Sequence, residues 1–340
     1  MTPAQKLSEL PKGTRLQNFE ILSTLGGGRN SLVYQAYDHL LGMSVVIKEY
    51  LPAGIAHRLD SCLVEIVPDR NEQFKQGQER FINEARSMTS VRHPVFRDAL
   101  QLFTENNTAY IVMPYHEGKT LRKMVRDGWH VKDLGDLLAI ILPIISGISL
   151  LHSEGYCHCD ISPNNVLIRS NGSPILLDFG AVQRQGKAPE FRHITDLATG
   201  FAAKEQYEDG GELGAWTDIY GLSALTYYIV TGAIPDQSMS RITFDSLKAL
   251  ANFSNTDLPA CVLEVFDKGL AVEPQGRFES IGVFAGAIES AAQKAVSQSS
   301  ESYFRKVLSL DSNFSELSSQ QRSILQHAAE LRKQFRTANI

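Results

Sequence analysis

The sequence predicts an α+β protein with a strand-rich first third and a mostly helical remainder. Short apolar runs bounded by turn residues extend from Leu16 to Tyr115, and longer stretches with helical spacing follow. A chain of 340 residues is long enough for two domains or for one large two-lobed domain. Its 43% hydrophobic and 21% charged residues are typical of a globular protein with a sizeable core.

The first third is expected to hold five strands and one helix. Gly26-Gly27-Gly28 predicts a turn between the first two strands, and Pro52, Gly54 and Pro68 predict a long connection over 51–72. The apolar residues of 74–90 recur at helical spacing. The predicted strands cover 19–22, 31–37, 45–48, 100–103 and 109–113.

The remainder is expected to be helical, with one β-hairpin around Asn171-Gly172 that joins 165–168 to 175–177. A Ser- and Gln-rich linker follows at 296–300. Predicted helices cover 119–126, 133–153, 217–231, 245–250, 259–270 and 278–295. The predicted divisions are a loose tail (1–14), a first lobe (15–115), a second lobe (116–295) and a helical extension (296–340).

Charge and cysteine content exclude several classes of partner. With 33 basic and 38 acidic residues the net charge is -5, which favours neither nucleic acid nor an anionic membrane. The four cysteines do not form a disulfide framework, so a cytoplasmic location is expected. Three adjacent residues on one loop, Cys157-His158-Cys159, do not favour a zinc site. The apolar stretch 137–151 predicts a buried helix, without direct membrane insertion.

A glycine turn and a strand lysine are the first candidate site features. Gly26 and Gly28 would let backbone N–H groups approach a phosphate closely, although glycine turns between strands are common. Lys48 lies inside an apolar strand, where its charge is costly unless it is used, and Glu84 on the predicted helix is its natural partner. The alternative is that Lys48 reaches solvent and Glu84 is a solvated helix residue.

The strongest short motif is His158-Cys-Asp160-Ile-Ser162-Pro-Asn-Asn165, a loop followed by a short strand. Asp160 can accept the proton of a substrate hydroxyl, and Asn165 can bind a magnesium ion. Asp178-Phe-Gly180 follows a second short strand and supplies a further oxygen ligand. Either motif alone is also compatible with an ordinary polar turn beside a strand.

Taken together and in order, these motifs resemble the eukaryotic-type protein kinases, in particular bacterial Ser/Thr kinases, over residues 16–295. The ordered set continues with Ala203-Lys-Glu205, with Trp216-Thr-Asp218, whose aspartate resembles the brace of the catalytic loop, and with Arg277, which resembles the partner of Glu205. The resemblance implies a bilobal protein-kinase fold and transfer of the γ-phosphoryl group of ATP to Ser/Thr hydroxyls of proteins, including the chain itself.

The resemblance also implies roles for individual residues. Gly26, Gly28 and Val33 would cover the nucleotide, Met113 and Tyr115 would form the adenine pocket, and Lys48 held by Glu84 would position the phosphates. Asn165 and Asp178 would hold Mg²⁺. Asp160 and Ser162 would act in the transfer step.

Two departures from the family pattern keep alternatives open. Cys159 stands where the family has arginine, and Ser162 stands where Ser/Thr kinases have a lysine that neutralises the transferring group. The chain is therefore a protein kinase, a nucleotide-binding pseudokinase that acts as a scaffold, or a small-molecule kinase. The extension at 296–340 packs on its own domain or forms a homodimer helix.

In the family, the arginine at the position of Cys159 often binds the phosphorylated activation loop, the segment that ends at Ala203-Lys-Glu205. Because Cys159 has no charge for this contact, we expect the rate of phosphate transfer not to depend on phosphorylation of that loop. The double variant Thr195→Ala/Thr199→Ala should retain nearly the parent rate of phosphate transfer. A steady-state assay of the two proteins tests this, and a collapse of the rate would reject it.

Overall fold

The computed structural model describes residues 9–58, 62–187, 197–253 and 257–298. The chain forms two compact units. The smaller unit consists of residues up to Arg92 together with Arg97–Glu117, and the larger consists of His93–Phe96 and the chain from Gly118 onward. The predicted extension after 298 and the threonine at 195 lie outside the described residues.

The smaller unit is built on a six-stranded antiparallel sheet with the strand order β1-β2-β3-β4-β8-β7. A two-stranded hairpin, β5-β6, lies within the stretch that was predicted to be an open connection. The helix α1 (Asn71–Ser90) begins three residues before its predicted start. The strands are β1 (Arg15–Leu16), β2 (Phe19–Gly27), β3 (Ser31–Asp38), β4 (Met43–Tyr50), β5 (Ala56–His57), β6 (Glu65–Ile66), β7 (Gln101–Glu105) and β8 (Thr108–Pro114).

Strand β4 is buried on both faces from Val45 to Tyr50. Its neighbours β3 and β8 complete its hydrogen bonds, and both are antiparallel to it. Because successive side chains alternate between faces, Val45, Ile47 and Glu49 lie on one face and Lys48 on the other. Two adjacent charged residues are therefore buried in the middle of the sheet.

Glu49 is completely buried and is the centre of a polar network that the sequence did not reveal. The hydroxyls of Tyr34 and Tyr110 donate to its carboxylate, each at 2.8 Å. Arg58 contacts both carboxylate oxygens, and its Nη1 lies 3.2 Å from Oε2. Burial, followed by the charge of Glu49, raises the pKa of both tyrosines well above the usual range. The two hydroxyls therefore stay protonated and remain donors.

The stretch 9–14 is not loose, in contrast to the prediction for the N-terminal tail. Leu10 is buried in the core of the smaller unit, and its backbone N–H donates to the hydroxyl of Tyr34 at 3.2 Å. A single apolar side chain among polar neighbours anchors this segment, which periodicity alone could not show. The core residues on this side include Leu16, Phe19, Ile21, Ala36, Val45, Ile47, Phe103 and Val112.

The larger unit is mainly helical. Its described helices are α2 (Leu121–Arg126), α3 (Leu134–Ser153), α4 (Ala215–Thr231), α5 (Ser238–Arg241), α6 (Ala260–Gly269) and α7 (Ile281–Gln298). Short strands are β9 (Gly118–Thr120), β10 (Tyr156–Cys157), β11 (Val166–Arg169), β12 (Pro174–Leu176) and β13 (Gln183–Arg184). They pair as β12-β11-β9 and β10-β13. The last helix continues three residues past the predicted end of the second lobe.

The predicted helix over 245–250 was wrong. Asp245 accepts a hydrogen bond from the backbone N–H of Leu247 and forms a two-bond ion pair with Arg241. Asp267 accepts the N–H groups of Leu250 and Ala251. Side-chain carboxylates that bind backbone N–H groups compete with helix formation, so only a short 3-10 turn (Leu250–Asn252) forms here.

Helix α3 is long and apolar enough, by length and composition alone, to cross a membrane. Within the larger unit, 72% of the most apolar 18-residue stretch of this helix is buried. Asp133 caps its N-terminus by accepting from the N–H of Asp136 at 3.0 Å. A mostly buried helix of this kind is typical of the core of a globular domain, as the sequence analysis expected for 137–151.

Replacing Arg58 by Met should lower the free energy of unfolding by about 3–5 kcal/mol, because it leaves the Glu49 carboxylate buried without its cation. Denaturant unfolding of both proteins measures the loss. Arg15→Met, which removes an exposed ion pair with Glu20, should cost under about 1 kcal/mol. The double variant Arg58→Met/Glu49→Gln should recover much of the loss; a double variant as unstable as Arg58→Met alone would contradict the assignment.

Candidate active site

Lys48 and Glu84 form a buried ion pair in the smaller unit. The Lys48 Nζ lies 2.7 Å from Glu84 Oε1, and only 10% and 7% of the two side chains are exposed. Lys48 projects from β4 and Glu84 from α1, so the pair joins the sheet to the helix. The Phe81 ring, centred 5.7 Å from the ammonium, adds a cation–π contact. The alternative, in which the Lys48 ammonium reaches solvent and Glu84 is solvated, was therefore wrong.

Gly26, Val33 and Lys48 lie in one row across the sheet, because Val33 pairs with Gly26 on β2 and with Lys48 on β4. Strand β2 continues through Gly27, so the turn begins later than predicted. A Cβ on Gly27 would lie 2.8 Å from the carbonyl oxygen of Ser31, whereas a Cβ on Gly26 or Gly28 would meet nothing within 4 Å. Packing within the protein therefore requires glycine at 27, and leaves open space above 26 and 28.

Met113 and Tyr115 lie at the end of β8. Met113 is buried and pairs with Val46 on β4, while Tyr115 follows the strand and is half-buried. Met113 thus lies on the strand next to the one that carries Lys48, and Tyr115 lies just after that strand.

In the larger unit, Asp160 and Asn165 are brought together by their loop. The Asn165 Nδ2 donates to Asp160 Oδ2 at 2.8 Å and to the Asp160 carbonyl oxygen at 3.1 Å. Since its amide nitrogen is used in this way, Asn165 has its side-chain oxygen left to accept a cation. The loop also holds Ser162, which is buried and whose carbonyl oxygen accepts from the N–H of Asn165 at 3.0 Å.

Asp178 follows β12 at the end of the hairpin where β11 begins. The N–H of Leu177 donates to the carbonyl oxygen of Asn165 at 2.8 Å, so the antiparallel pairing brings the Asp178 and Asn165 backbones close together. One oxygen of Asp178 accepts from the N–H of Gly180 at 2.8 Å. One amide oxygen and one carboxylate form a hard-oxygen donor set, which suits Mg²⁺.

Asp218, on helix α4, braces the loop that carries Asp160. Its carboxylate accepts the backbone N–H groups of His158 and Cys159, at 2.8 and 2.7 Å, and the Nε2 of His152 at 2.7 Å. Burial acts to raise the pKa of Asp218, but the hydrogen bonds and charge of the two histidines outweigh it and lower the pKa. Cys159 has a positive φ of 61°, a conformation that these bonds hold in place.

The buried Cys157 and Cys159 thiols contact each other and pack with Ala181 and Leu213. One oxygen of Asp218, the thiol of Cys157 and a ring nitrogen of His152 lie within 4.8 Å of one another. The hydrogen bond with Cys159 and burial raise the pKa of the Cys157 thiol. The Asp218 oxygens of this cluster already accept the backbone N–H groups of His158 and Cys159. The cluster is a hydrogen-bonded brace.

Glu205 and Arg277 form a buried ion pair with two hydrogen bonds, at 2.8 and 3.1 Å, as the resemblance implied. Thr217 donates to the same carboxylate at 2.8 Å. The neighbouring Gln206 donates from Nε2 to the carbonyl oxygen of Cys159 at 2.8 Å, which ties the end of this segment to the Asp160 loop. Gln206 was not among the predicted site residues, since its only signal in the sequence is adjacency to Glu205.

The family model described as protein kinase domain matches residues 19–257. The solved structure of the apo form of PpkA-294 is 33% identical, with a TM-score of 0.73, and the match covers 83% of this chain and 99% of that chain.

Two curated relatives are the serine/threonine-protein kinases PknD of Chlamydia caviae and PrkC of Bacillus subtilis. PknD is 24% identical over 311 residues, which is 82% of this chain and 31% of PknD. PrkC is 29% identical over 270 residues, which is 77% of this chain and 38% of PrkC. The chain therefore spans about a third of the length of these relatives.

Replacing Asp218 by Asn should cost about 1–3 kcal/mol of unfolding free energy, because buried N–H donors lose their charged acceptor. Since the fold lowers the pKa of Asp218, its carboxylate stabilises the protein above a pH of about 3.9, and this contribution is lost as the pH falls below that value. Unfolding measured from neutral to acid pH should show a flatter profile for Asp218→Asn. The exposed Asp209→Asn is the control, and an equal loss in both variants would contradict the brace.

Proposed function

Because the chain belongs to the protein kinase family, whose domain model matches residues 19–257, we propose that it transfers the γ-phosphoryl group of ATP, with Mg²⁺, to Ser or Thr hydroxyls of proteins. Protein kinases generally use ATP and Mg²⁺. The proposal depends most on one observation: Asp160 is held by the amide of Asn165 on a loop whose backbone is fixed by Asp218.

Asp160 is proposed to orient the attacking hydroxyl and to accept its proton as the oxygen bonds to the γ-phosphorus and ADP leaves. The hydrogen bond from Asn165 Nδ2 at 2.8 Å fixes the rotamer of the carboxylate. One Asp160 oxygen thereby faces Asn165, and the other is the atom assigned to the hydroxyl. Positioning of this kind is the main contribution that the protein makes to phosphoryl transfer.

Lys48 is proposed to hold the phosphates, with Glu84 keeping the ammonium in place at 2.7 Å. The open space above Gly26 and Gly28 leaves room for phosphate oxygens to approach the backbone closely. The N–H of Gly28 donates to the carbonyl oxygen of Ser31 at 2.9 Å, and Gly26 has a φ of 157°, which by itself favours glycine. The two glycines are therefore assigned to this close approach, and no phosphate hydrogen bond is assigned to the N–H of Gly28. Val33, Met113 and Tyr115 are assigned to the adenosine part of the nucleotide.

Asn165 and Asp178 are the residues that would hold Mg²⁺, as their hard-oxygen donor set fits this ion. Magnesium, when bound, neutralises charge on the phosphate oxygens. Ser162 is neutral and buried, so it supplies no positive charge to the transferring group. An unreplaced charge of this kind would cost about 2–4 kcal/mol of transition-state stabilisation, which predicts a slow enzyme.

The experiment incubates the purified full chain with γ-labelled ATP, Mg²⁺ and generic protein substrates. Asp160→Asn should reduce incorporation into substrate, and into the chain itself, by about 10²–10⁴-fold, because the proton acceptor is lost. Asp209→Asn, an exposed aspartate in the same unit, is the matched control and should keep the parent rate. Acid hydrolysis of the product identifies the modified hydroxyl.

Two outcomes would overturn the proposal. Measurable ATP binding without any incorporation would identify a pseudokinase, consistent with the neutral side chains of Cys159 and Ser162. Phosphorylation of a metabolite with no labelling of peptides or proteins would identify a small-molecule kinase.

A further inference from the structure

Helix α1 presents a single narrow stripe of residues to strand β4. Phe74, Gly77, Phe81 and Glu84 follow one another at spacings of three, four and three, which places them on one side of the helix. Most other residues of 71–86 are exposed. The contacts of this stripe with β4 therefore help to set the position of the helix, beside its packing against β8.

Tyr50 occupies the centre of the stripe. It lies two residues after Lys48 on β4, hence on the same face, and it is 4% exposed. Its ring centroid lies 5.1 Å from that of Phe74 and 5.6 Å from that of Phe81. Its hydroxyl donates to the carbonyl oxygen of Phe74 at 3.3 Å. One strand residue thus contacts the helix on both sides of Gly77.

Gly77 has no room for a side chain. A Cβ built there would overlap the Tyr50 hydroxyl and lie 2.9 Å from its Cζ. Glycine is less favourable than alanine within a helix, because it loses more backbone freedom on folding. The close approach of the Tyr50 hydroxyl gives a physical reason for this unfavourable residue.

Hydrogen bonds on the opposite face of β4 and at its end hold this strand in place. On its opposite face Glu49 is held by Arg58, Tyr34 and Tyr110. The carbonyl oxygen of Tyr50 itself accepts from the Thr108 hydroxyl on β8. Burial raises the pKa of Tyr50 to about 12, so the hydroxyl remains a donor at neutral pH.

We propose that Tyr50 and Gly77 are positioning residues that seat helix α1 on strand β4 and thereby keep Glu84 on Lys48. This inference rests on the proposed function, in which Lys48 holds the phosphates. Seven residues, about two helical turns, separate Gly77 from Glu84 on one side of the helix. A displacement at Gly77 therefore moves Glu84 away from the ammonium at 2.7 Å.

The first test is Gly77→Ala, with Gly286→Ala as the matched control. Gly286 is also a helical glycine, but a Cβ there meets nothing within 4 Å. Gly77→Ala should weaken ATP binding and lower kcat/KM, by up to about 10²-fold for a displacement near 1 Å. Adenosine, which has no phosphates, should bind both variants as it binds the parent. Equal loss of ATP and adenosine binding would indicate a merely structural effect and overturn the proposal.

Two further variants keep the test decisive if Gly77→Ala folds poorly. Tyr50→Phe in the Gly77→Ala background removes the overlapping hydroxyl and should recover part of the ATP affinity. Tyr50→Leu, which removes the ring and adds no atom, should repeat the selective loss of ATP binding. Full ATP affinity in Tyr50→Leu would contradict the proposal.

A readout without nucleotide separates this inference from the proposed function. The coupling of Lys48 and Glu84 is measured by a double-mutant cycle with Lys48→Met and Glu84→Gln on the unfolding equilibrium. The coupling should be present in the parent and in Gly286→Ala, and lost in Gly77→Ala. Coupling that persists in Gly77→Ala would overturn the proposal that Tyr50 and Gly77 position helix α1. A parent protein that shows this coupling but transfers no phosphate overturns the proposed function alone.

Discussion

The smaller unit depends on the burial of two opposite charges side by side on one strand. Lys48 and Glu49 are adjacent on β4, so alternation sends them to opposite faces, and each must find a partner away from water. Lys48 takes Glu84 of the helix, and Glu49 takes Arg58 with two tyrosine hydroxyls. The sheet is thereby connected to a helix on one face and to the 51–66 connection on the other.

In the larger unit, a single buried carboxylate connects a core helix to the loop that carries Asp160. Asp218 is buried on a helix of the core. Its carboxylate binds two backbone N–H groups of the loop before Asp160 and so fixes the conformation of that loop. Glu205 with Arg277 fixes the later segment, and Gln206 joins the two. Because these groups hold backbone atoms, the loop tolerates Cys159 where the family has arginine: the side chain is not what maintains the loop.

The sequence was sufficient for the fold class and the family resemblance, and both are confirmed. The sequence also predicted the pairing of Lys48 with Glu84, because a lysine inside an apolar strand is costly without a partner, and the two side chains are 2.7 Å apart. Asp160 was predicted from its loop motif, and its role in the transfer step stays a prediction. The network around Glu49 was not predictable, since strand pairing brings Tyr34 and Tyr110 to it from distant parts of the chain, and Arg58 reaches it from the connection after β4. The helix predicted at 245–250 was wrong for a different reason. Hydrophobic periodicity does not show that the Asp245 and Asp267 carboxylates accept backbone N–H groups in this stretch.

The buried Arg58–Glu49 pair also constrains how this chain can evolve. Losing either member alone costs about 3–5 kcal/mol, out of a total stability that for domains is typically about 5–15 kcal/mol. A lineage that replaces the two members one at a time must pass through a poorly folded intermediate, whichever changes first. Neutral drift at these two positions is therefore coupled, and descendants should keep both residues or exchange both.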